Sequence, residues 1–168
     1  MLFRLAQIED IDSVMRIINE AQTALRNLNI DQWQNGYPAE SDIRKDIDVH
    51  NGYVLEDETG EILAYTAVII DFEPTYDQIF DGAWLTTDRF VVVHRMAIKQ
   101  SEKRKGKAED LFSKIIQFTK NQRIVSLKVD THEGNIPMRN LLKKLGFSYC
   151  GIILLNSGAK RLAFELLI

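Results

Sequence analysis

A chain of 168 residues is the length of one domain, long enough to bury a core without disulfides or metal. Hydrophobic residues make up 45% and charged residues 27%, with 9 glycines and 3 prolines, which excludes disordered, collagen-like and proline-rich chains. Lys and Arg total 21 against 24 for Asp and Glu, a net charge of -3 that argues against a polycation for nucleic acid or anionic membrane but permits a local basic patch.

In chain order, Leu2 to Leu5 reads as a short strand, and the opening Met1-Leu2-Phe3-Arg4 lacks the apolar core of a signal peptide. Asp10 opens a helix with one apolar stripe at Ile11, Val14, Met15, Ile18 and Ala21. Residues 27–40 are polar and aromatic and read as a loop or broken helix; Ser41 to Val49 follows as a short helix. Tyr53 to Glu56 and Ile62 to Ile70 flank Asp57-Glu58-Thr59-Gly60, the turn residues of a hairpin. Residues 71–89 carry acidic and aromatic side chains and read as a substrate loop. Phe90 to Ile98 is a long β-branched strand, Ala108 to Gln122 a helix, Val125 to Val129 a strand, and Asn135 to about Leu145 a helix with Gly146 at its C-cap. Tyr149 to Leu155 and Arg161 to Leu167 read as two closing strands. The one cysteine, Cys150, allows no intramolecular disulfide and no Cys-rich zinc site; in a predicted strand it reads as a small core residue. No apolar run approaches the ~20 residues of a membrane span. The sum is a single α/β (α+β mixed) domain over 1–168, with a mixed sheet covered by helices, expected in the cytoplasm without a membrane partner.

The most specific local feature is the turn between the strand ending at Ile98 and the helix starting near Ala108, which reads Lys99-Gln100-Ser101-Glu102-Lys103-Arg104-Lys105-Gly106-Lys107-Ala108. The first N–H groups of a helix have no intrahelical partner and carry the positive end of its dipole, so a phosphate or pyrophosphate is their natural ligand. Gly106 permits close backbone approach and Ala108 keeps the first turn uncluttered. The alternative is a solvated basic loop. No GxxxxGK[ST] and no GxGxxG after a strand supports a P-loop or dinucleotide site.

Lys103-Arg104-Lys105-Gly106-Lys107-Ala108 resembles the Gln/Arg-x-x-Gly-x-Gly/Ala signature of the GNAT superfamily of acyl-CoA-dependent N-acyltransferases, with lysine in the first place. A second block, Asn135-Ile136-Pro137-Met138-Arg139-Asn140-Leu141-Leu142-Lys143-Lys144-Leu145-Gly146-Phe147, is similar to that family's Asn-x-x-Ala-x-x-Leu-Tyr-x-Lys-x-Gly-Phe. Gln32 to Pro38, His94-Arg95 and Asp130-Thr131-His132 resemble segments of small bacterial members, many without an assigned substrate. The resemblance implies a mostly antiparallel sheet of about six or seven strands flanked by about four helices. It implies acetyl-CoA as co-substrate, its pantetheine arm along Met96, Ala97 and Ile98, its pyrophosphate on the amides of Lys103, Arg104, Lys105, Gly106, Lys107 and Ala108, and Asn135 and Met138 on the CoA side of the next helix. It also implies that strands Phe90–Ile98 and Val125–Val129 diverge to admit the thioester. Two positions depart from the pattern: Met138 replaces alanine, and Leu142 replaces the tyrosine that often protonates the departing thiolate, which leucine cannot do. Tyr149 or water is then the donor, or the thiolate leaves unaided, since a thiol of pKa about 8.5 is a modest base.

Acyl transfer to an amine needs a base, a polarised carbonyl and held substrates. The resemblance points to a backbone N–H near Ile98 for the carbonyl. His94, Asp130, His132 and Glu73 are the candidate bases. His94 shares a face with Met96 and Ile98 by the period of two, and Asp130 and His132 follow the fifth strand. The alternative for His94 is a hydrogen-bonded core residue, and for Asp130 and His132 turn chemistry before Asn135. Trp33, Tyr37, Trp84 and Tyr76 are aromatic candidates for the acceptor amine, with Asp31, Asp81 or Glu73 for its charge. No nucleophile has a base nearby in sequence, so direct transfer in a ternary complex is expected. His94, Asp130 and His132 match no metal-ligand spacing, and no metal is expected.

The expected function is therefore transfer of an acetyl group to an amine of a small molecule, amino acid or peptide. One alternative is a CoA-binding protein with little catalysis; the other is a nucleic-acid binder using Lys99 to Lys107, against which the acidic net charge and the lack of interleaved aromatics argue. A homodimer stays open.

Overall fold

Runs of apolar and β-branched residues form the central strands, and apolar stripes form the helices. A computed structural model covers residues 1–168. In order it contains β1 (Leu2–Leu5), α1 (Ile11–Asn27), α2 (Glu40–Asp48), β2 (Gly52–Glu56), β3 (Ile62–Ile70), β4 (Phe90–Ile98), α3 (Lys107–Asn121), β5 (Ser126–Thr131), α4 (Ile136–Lys144), β6 (Ser148–Leu154) and β7 (Lys160–Leu167). Short 3₁₀ turns occupy Ile8–Asp10, Pro74–Tyr76 and Gln100–Glu102. The strands form one mixed, mostly antiparallel sheet in the order β1-β2-β3-β4-β5-β7-β6, the architecture expected from the sequence. No helix is long and apolar enough to cross a membrane.

The chain divides into two compact units, Met1–Val68 with Arg95–Lys114 and Ile69–His94 with Ile115–Ile168. In the first, α1 buries Ile11, Val14, Ile17 and Ile18, the stripe its spacing predicts, and α2 adds Ile43 and Ile47. They pack with Val54 of β2, Tyr65 of β3 and Ala97 of β4. A polar knot lies inside this core. The buried Asp46 of α2 accepts from the Tyr65 hydroxyl at 2.7 Å and from Arg95 at 2.7 Å (Nε) and 2.6 Å (Nη2). Arg95 adopts φ 52°, a left-handed conformation inside β4. It interrupts the strand's alternation, so the period of two does not carry from His94 to Met96 and Ile98 as the sequence suggested.

In the second unit, β4 and β5 pair in parallel from Phe90↔Ser126 to Val93↔Val129. There the ladder stops, although β4 continues to Ile98 and β5 to Thr131. β5 outlasts its predicted end at Val129 because β7 pairs with it as far as Asp130↔Ala163 and Thr131↔Leu162. Asp130 is therefore a strand residue, not part of the following turn. Register sorts the side chains of this unit into two faces. Val92, His94, Ser126, Lys128, Asp130 and Glu165 share one; Val93, Val129, Phe164 and Tyr149 share the other.

The 71–89 segment is tied to this unit by backbone. Phe80 and Ile152 exchange two hydrogen bonds of 2.8 Å across the outer edge of β6. Gly82 lies against the Cys150 carbonyl so closely that a Cβ there would stand 2.0 Å from its oxygen. The Leu85 N–H donates to Glu165 Oε2 at 2.6 Å, and Trp84 Nε1 donates to the Tyr76 carbonyl at 2.9 Å. Tyr76, Val92, Ile153 and Ala163 form the core cluster here, with Trp84 and Phe90 against it.

Candidate active site

His94 is the last residue of β4 in the second unit, one past the end of the β5 ladder. Its imidazole is partly buried between two carboxylates. Nε2 lies 2.6 Å from Glu73 Oε2, and Nδ1 lies 3.9 Å from Asp130 Oδ2. The same Asp130 oxygen accepts from the Tyr76 hydroxyl at 2.7 Å. Glu73 comes from the 71–89 segment, where it caps the Pro74–Tyr76 turn: its Oε1 accepts from the Thr75 N–H at 3.1 Å and the Thr75 hydroxyl at 2.5 Å. Burial pushes the Glu73 carboxyl up, but the hydrogen bonds from His94 and Thr75 outweigh it and hold the pKa at about 2. Burial, with Asp130 next in effect, raises the Tyr76 phenol well above its usual range, so it stays protonated and donates to Asp130.

The remaining catalytic candidate, Tyr149, is not brought to this cluster. It is exposed on β6 and packs edge-on against Phe164 at 5.7 Å, on the sheet face opposite His94 and Asp130. Leu142, at the position of the family's tyrosine, is fully buried and serves the core. His132 accepts from the Gly134 N–H at 2.9 Å, the turn chemistry weighed as its alternative. Of the acceptor candidates, Trp33 is partly buried against the first core. Tyr37 is 40% exposed, and its hydroxyl accepts from Arg95 Nη1 at 2.7 Å. Trp84 packs on Tyr76 at 5.0 Å and carries Lys128 Nζ 4.4 Å from its ring centroid.

The basic turn lies in the first unit. Arg104 and Gly106 take φ 63° and 79°, and α3 starts at Lys107. The Asp110 N–H donates to the Gly106 carbonyl at 2.9 Å, so the amides of Lys107 and Ala108 precede the helical ladder. A Cβ built on Gly106 meets no atom within 4 Å, so the bend is open. Lys99 pairs with Glu61, and Lys105 pairs with Glu102 at 3.0 Å. Met96, Ala97 and Ile98 precede this turn on β4. Asn135 caps α4, its side chain accepting from the Met138 N–H at 3.3 Å. No group of three or more His, Cys, Asp or Glu side chains is placed to hold a metal ion.

Sequence reading missed two buried polar assemblies. One is the Asp46–Arg95–Tyr65 knot. The other is Glu165, fully buried, which accepts from the Ser126 hydroxyl at 2.6 Å beside the buried Lys128. A trace was present in the alternation Ser126, Lys128, Asp130, a polar row in a strand whose neighbours are apolar.

The fold is shared with solved acetyltransferases. An acetyltransferase of the GNAT family from Streptococcus agalactiae 2603 is 34% identical, with a TM-score of 0.90 over 99% of this chain and 95% of that one. At the level of fold alone, an N-acetyltransferase from Staphylococcus aureus Mu50 aligns at 19% identity and TM-score 0.69 over 99% of this chain and 97% of that one. A ribosomal-protein-alanine N-acetyltransferase from Brucella melitensis aligns at 18% and 0.71 over the full length of both. No functionally curated protein matches the chain significantly. The profile of the acetyltransferase (GNAT) family matches residues 22–147. The chain belongs to the GNAT family and is a GNAT-type N-acetyltransferase.

Proposed function

We propose that the protein transfers an acetyl group from acetyl-CoA to a primary amine of a small molecule, amino acid or peptide, directly and without an acyl-enzyme. The observation that carries this reading is His94, an imidazole between Glu73 and Asp130 at the residue where β4 leaves β5.

The chain offers acetyl-CoA a fitting set of groups. The open bend at Gly106, the amides opening α3 and the cations of Lys103 and Arg104 suit a pyrophosphate. The backbone of Met96, Ala97 and Ile98, beyond the end of the β5 ladder, suits the pantetheine arm, and one of its N–H groups the thioester carbonyl. Asn135 and Met138 complete the set by resemblance. Acetyl-CoA supplies an activated acetyl group and a thiolate that can depart.

Asp130 attracts the acceptor as its ammonium, and His94 takes one proton from it. The neutral amine then forms the new C–N bond as the C–S bond breaks. The second amine proton passes through solvent to the departing thiolate as the amide forms, and His94 then returns its own proton to bulk water. No acid is needed for a leaving group whose thiol has a pKa of about 8.5, which suits Leu142 in the core and Tyr149 on the far face. Holding both substrates in line contributes on the order of 7–11 kcal/mol, and the base roughly 10²–10⁴-fold.

The buried Leu142 favours one other reading, a CoA-binding protein with little turnover. Release of free thiol from acetyl-CoA over a panel of amines separates the two. Amine-dependent release is expected, falling roughly 10²–10⁴-fold in His94→Gln with CoA affinity kept. CoA binding with no release from any amine would leave the second reading standing.

A further inference from the structure

Resting on the assignment of His94 as the base, we infer that Glu73 is its positioning residue: it fixes the ring with the proton on Nε2, so that Nδ1, on the Asp130 side, is the nitrogen that accepts the amine's proton. A carboxylate only accepts hydrogen bonds. At 2.6 Å from Glu73 Oε2, His94 Nε2 must therefore carry the hydrogen. The other oxygen, Oε1, is held by both the N–H and the hydroxyl of Thr75, which sets the rotamer. With three donors on its two oxygens and a weakly basic carboxylate, Glu73 is unsuited to be the base itself.

Its support is equally fixed. Asp71 takes φ 54°, its N–H donates to the Phe90 carbonyl at 2.9 Å, and its side chain accepts from the Phe90 N–H at 2.9 Å and Arg89 Nε at 2.6 Å. Three residues on, the Pro74–Tyr76 turn begins, and it ends in the buried Tyr76, whose hydroxyl reaches Asp130. One short segment thus holds both carboxylates that flank the imidazole. Nδ1 and Asp130 Oδ2, 3.9 Å apart, can share one ammonium nitrogen at about 2.9 Å from each.

The test is Glu73→Gln, read against Glu73→Ala. In Glu73→Gln the Thr75 N–H keeps the amide oxygen on its side, which turns the NH₂ toward His94. A ring facing that donor must accept through Nε2 and carry its hydrogen on Nδ1. We expect ¹⁵N-histidine spectra, with His94 assigned by His94→Gln, to show neutral His94 as the Nε2–H tautomer in wild type, the Nδ1–H tautomer in Glu73→Gln and a mixture in Glu73→Ala. We expect kcat to fall on the order of 10²–10⁴-fold in Glu73→Gln and less in Glu73→Ala, with KM for acetyl-CoA unchanged in both. A wild-type Nδ1–H tautomer, or a Glu73→Gln enzyme with undiminished kcat, overturns the inference. If no amine is acetylated at all, the base assignment fails, while the wild-type spectrum still decides what Glu73 does to the ring.

Discussion

At the scale of single residues, the hydrogen bonds that His94 and Thr75 make to Glu73 are also a reservoir of stability. The Glu73 carboxyl falls from an ordinary 4.5 to about 2 in the folded chain, so the folded state binds fewer protons there than the unfolded one. The contribution is fully present above pH 4.5 and is lost as pH falls toward 2. A depression of this size is worth on the order of 3 kcal/mol, and the Glu73 side chain, 16% exposed, is only weakly screened. Urea unfolding from pH 6 to pH 3 should show the wild type losing its advantage over Glu73→Gln as acid is added. Parallel curves for the two proteins would mean that these hydrogen bonds carry no such energy. His94, Asp130 and Glu73 could be singled out in the sequence as candidates because few residue types take up a proton near neutrality or hold an ammonium. Their arrangement could not be read there: Glu73 is 21 positions from His94 and arrives through a loop with no period. Tyr149 misled for the converse reason. It is turned to the face opposite His94 by the register of β6 on β7, which no single segment encodes.

Among the elements, α1 could be read from the period of its apolar stripe, because one face meets a core, and β4 from its β-branched run, because Val91, Val92 and Val93 are all buried. The 71–89 segment could be read only as acidic and aromatic, because what anchors it is main chain. Phe80 pairs with Ile152, and two glycines make the approach possible. A Cβ at Gly82 would stand 2.0 Å from the Cys150 oxygen, and one at Gly151, at φ 141°, would stand 2.5 Å from the Phe80 oxygen. Neither obstacle is the end of a flexible side chain, so the segment itself has to move. Gly82→Ala should therefore cost about 1–3 kcal/mol and loosen the loop that carries Glu73 and Tyr76. Hydrogen exchange at the Phe80 and Ile152 amides should quicken, and kcat should fall with it. Unchanged protection at both amides would show that the clasp is not what holds the loop.

Across the whole molecule, the kinetic order expected of the proposed direct transfer rests on how Cys150, Lys128 and His94 are held. A covalent route needs an exposed, activated nucleophile. The single cysteine, Cys150, is buried on β6 beneath the Gly82 backbone, and burial, reinforced by Glu165, pushes its thiol up, away from the thiolate that reacts. Lys128 is buried with its ammonium 4.4 Å from the Trp84 ring centroid and 4.3 Å from that of Phe90. Burial lowers its pKa, which would favour nucleophilic attack, but the two rings cover the nitrogen and Glu165 opposes the shift. His94 is committed to Glu73 at one nitrogen and faces Asp130 at the other, an arrangement for moving a proton rather than an acyl group. On the proposed direct transfer both substrates are bound together, and initial rates at varied acetyl-CoA and amine should give intersecting lines. Cys150→Ser should keep kcat, and intact-protein mass spectra recorded with acetyl-CoA alone should reveal no acetyl group on Cys150 or Lys128. Parallel lines together with an acetylated Cys150 would replace direct transfer with a two-step route and would require the 71–89 segment to open far enough to bare the thiol.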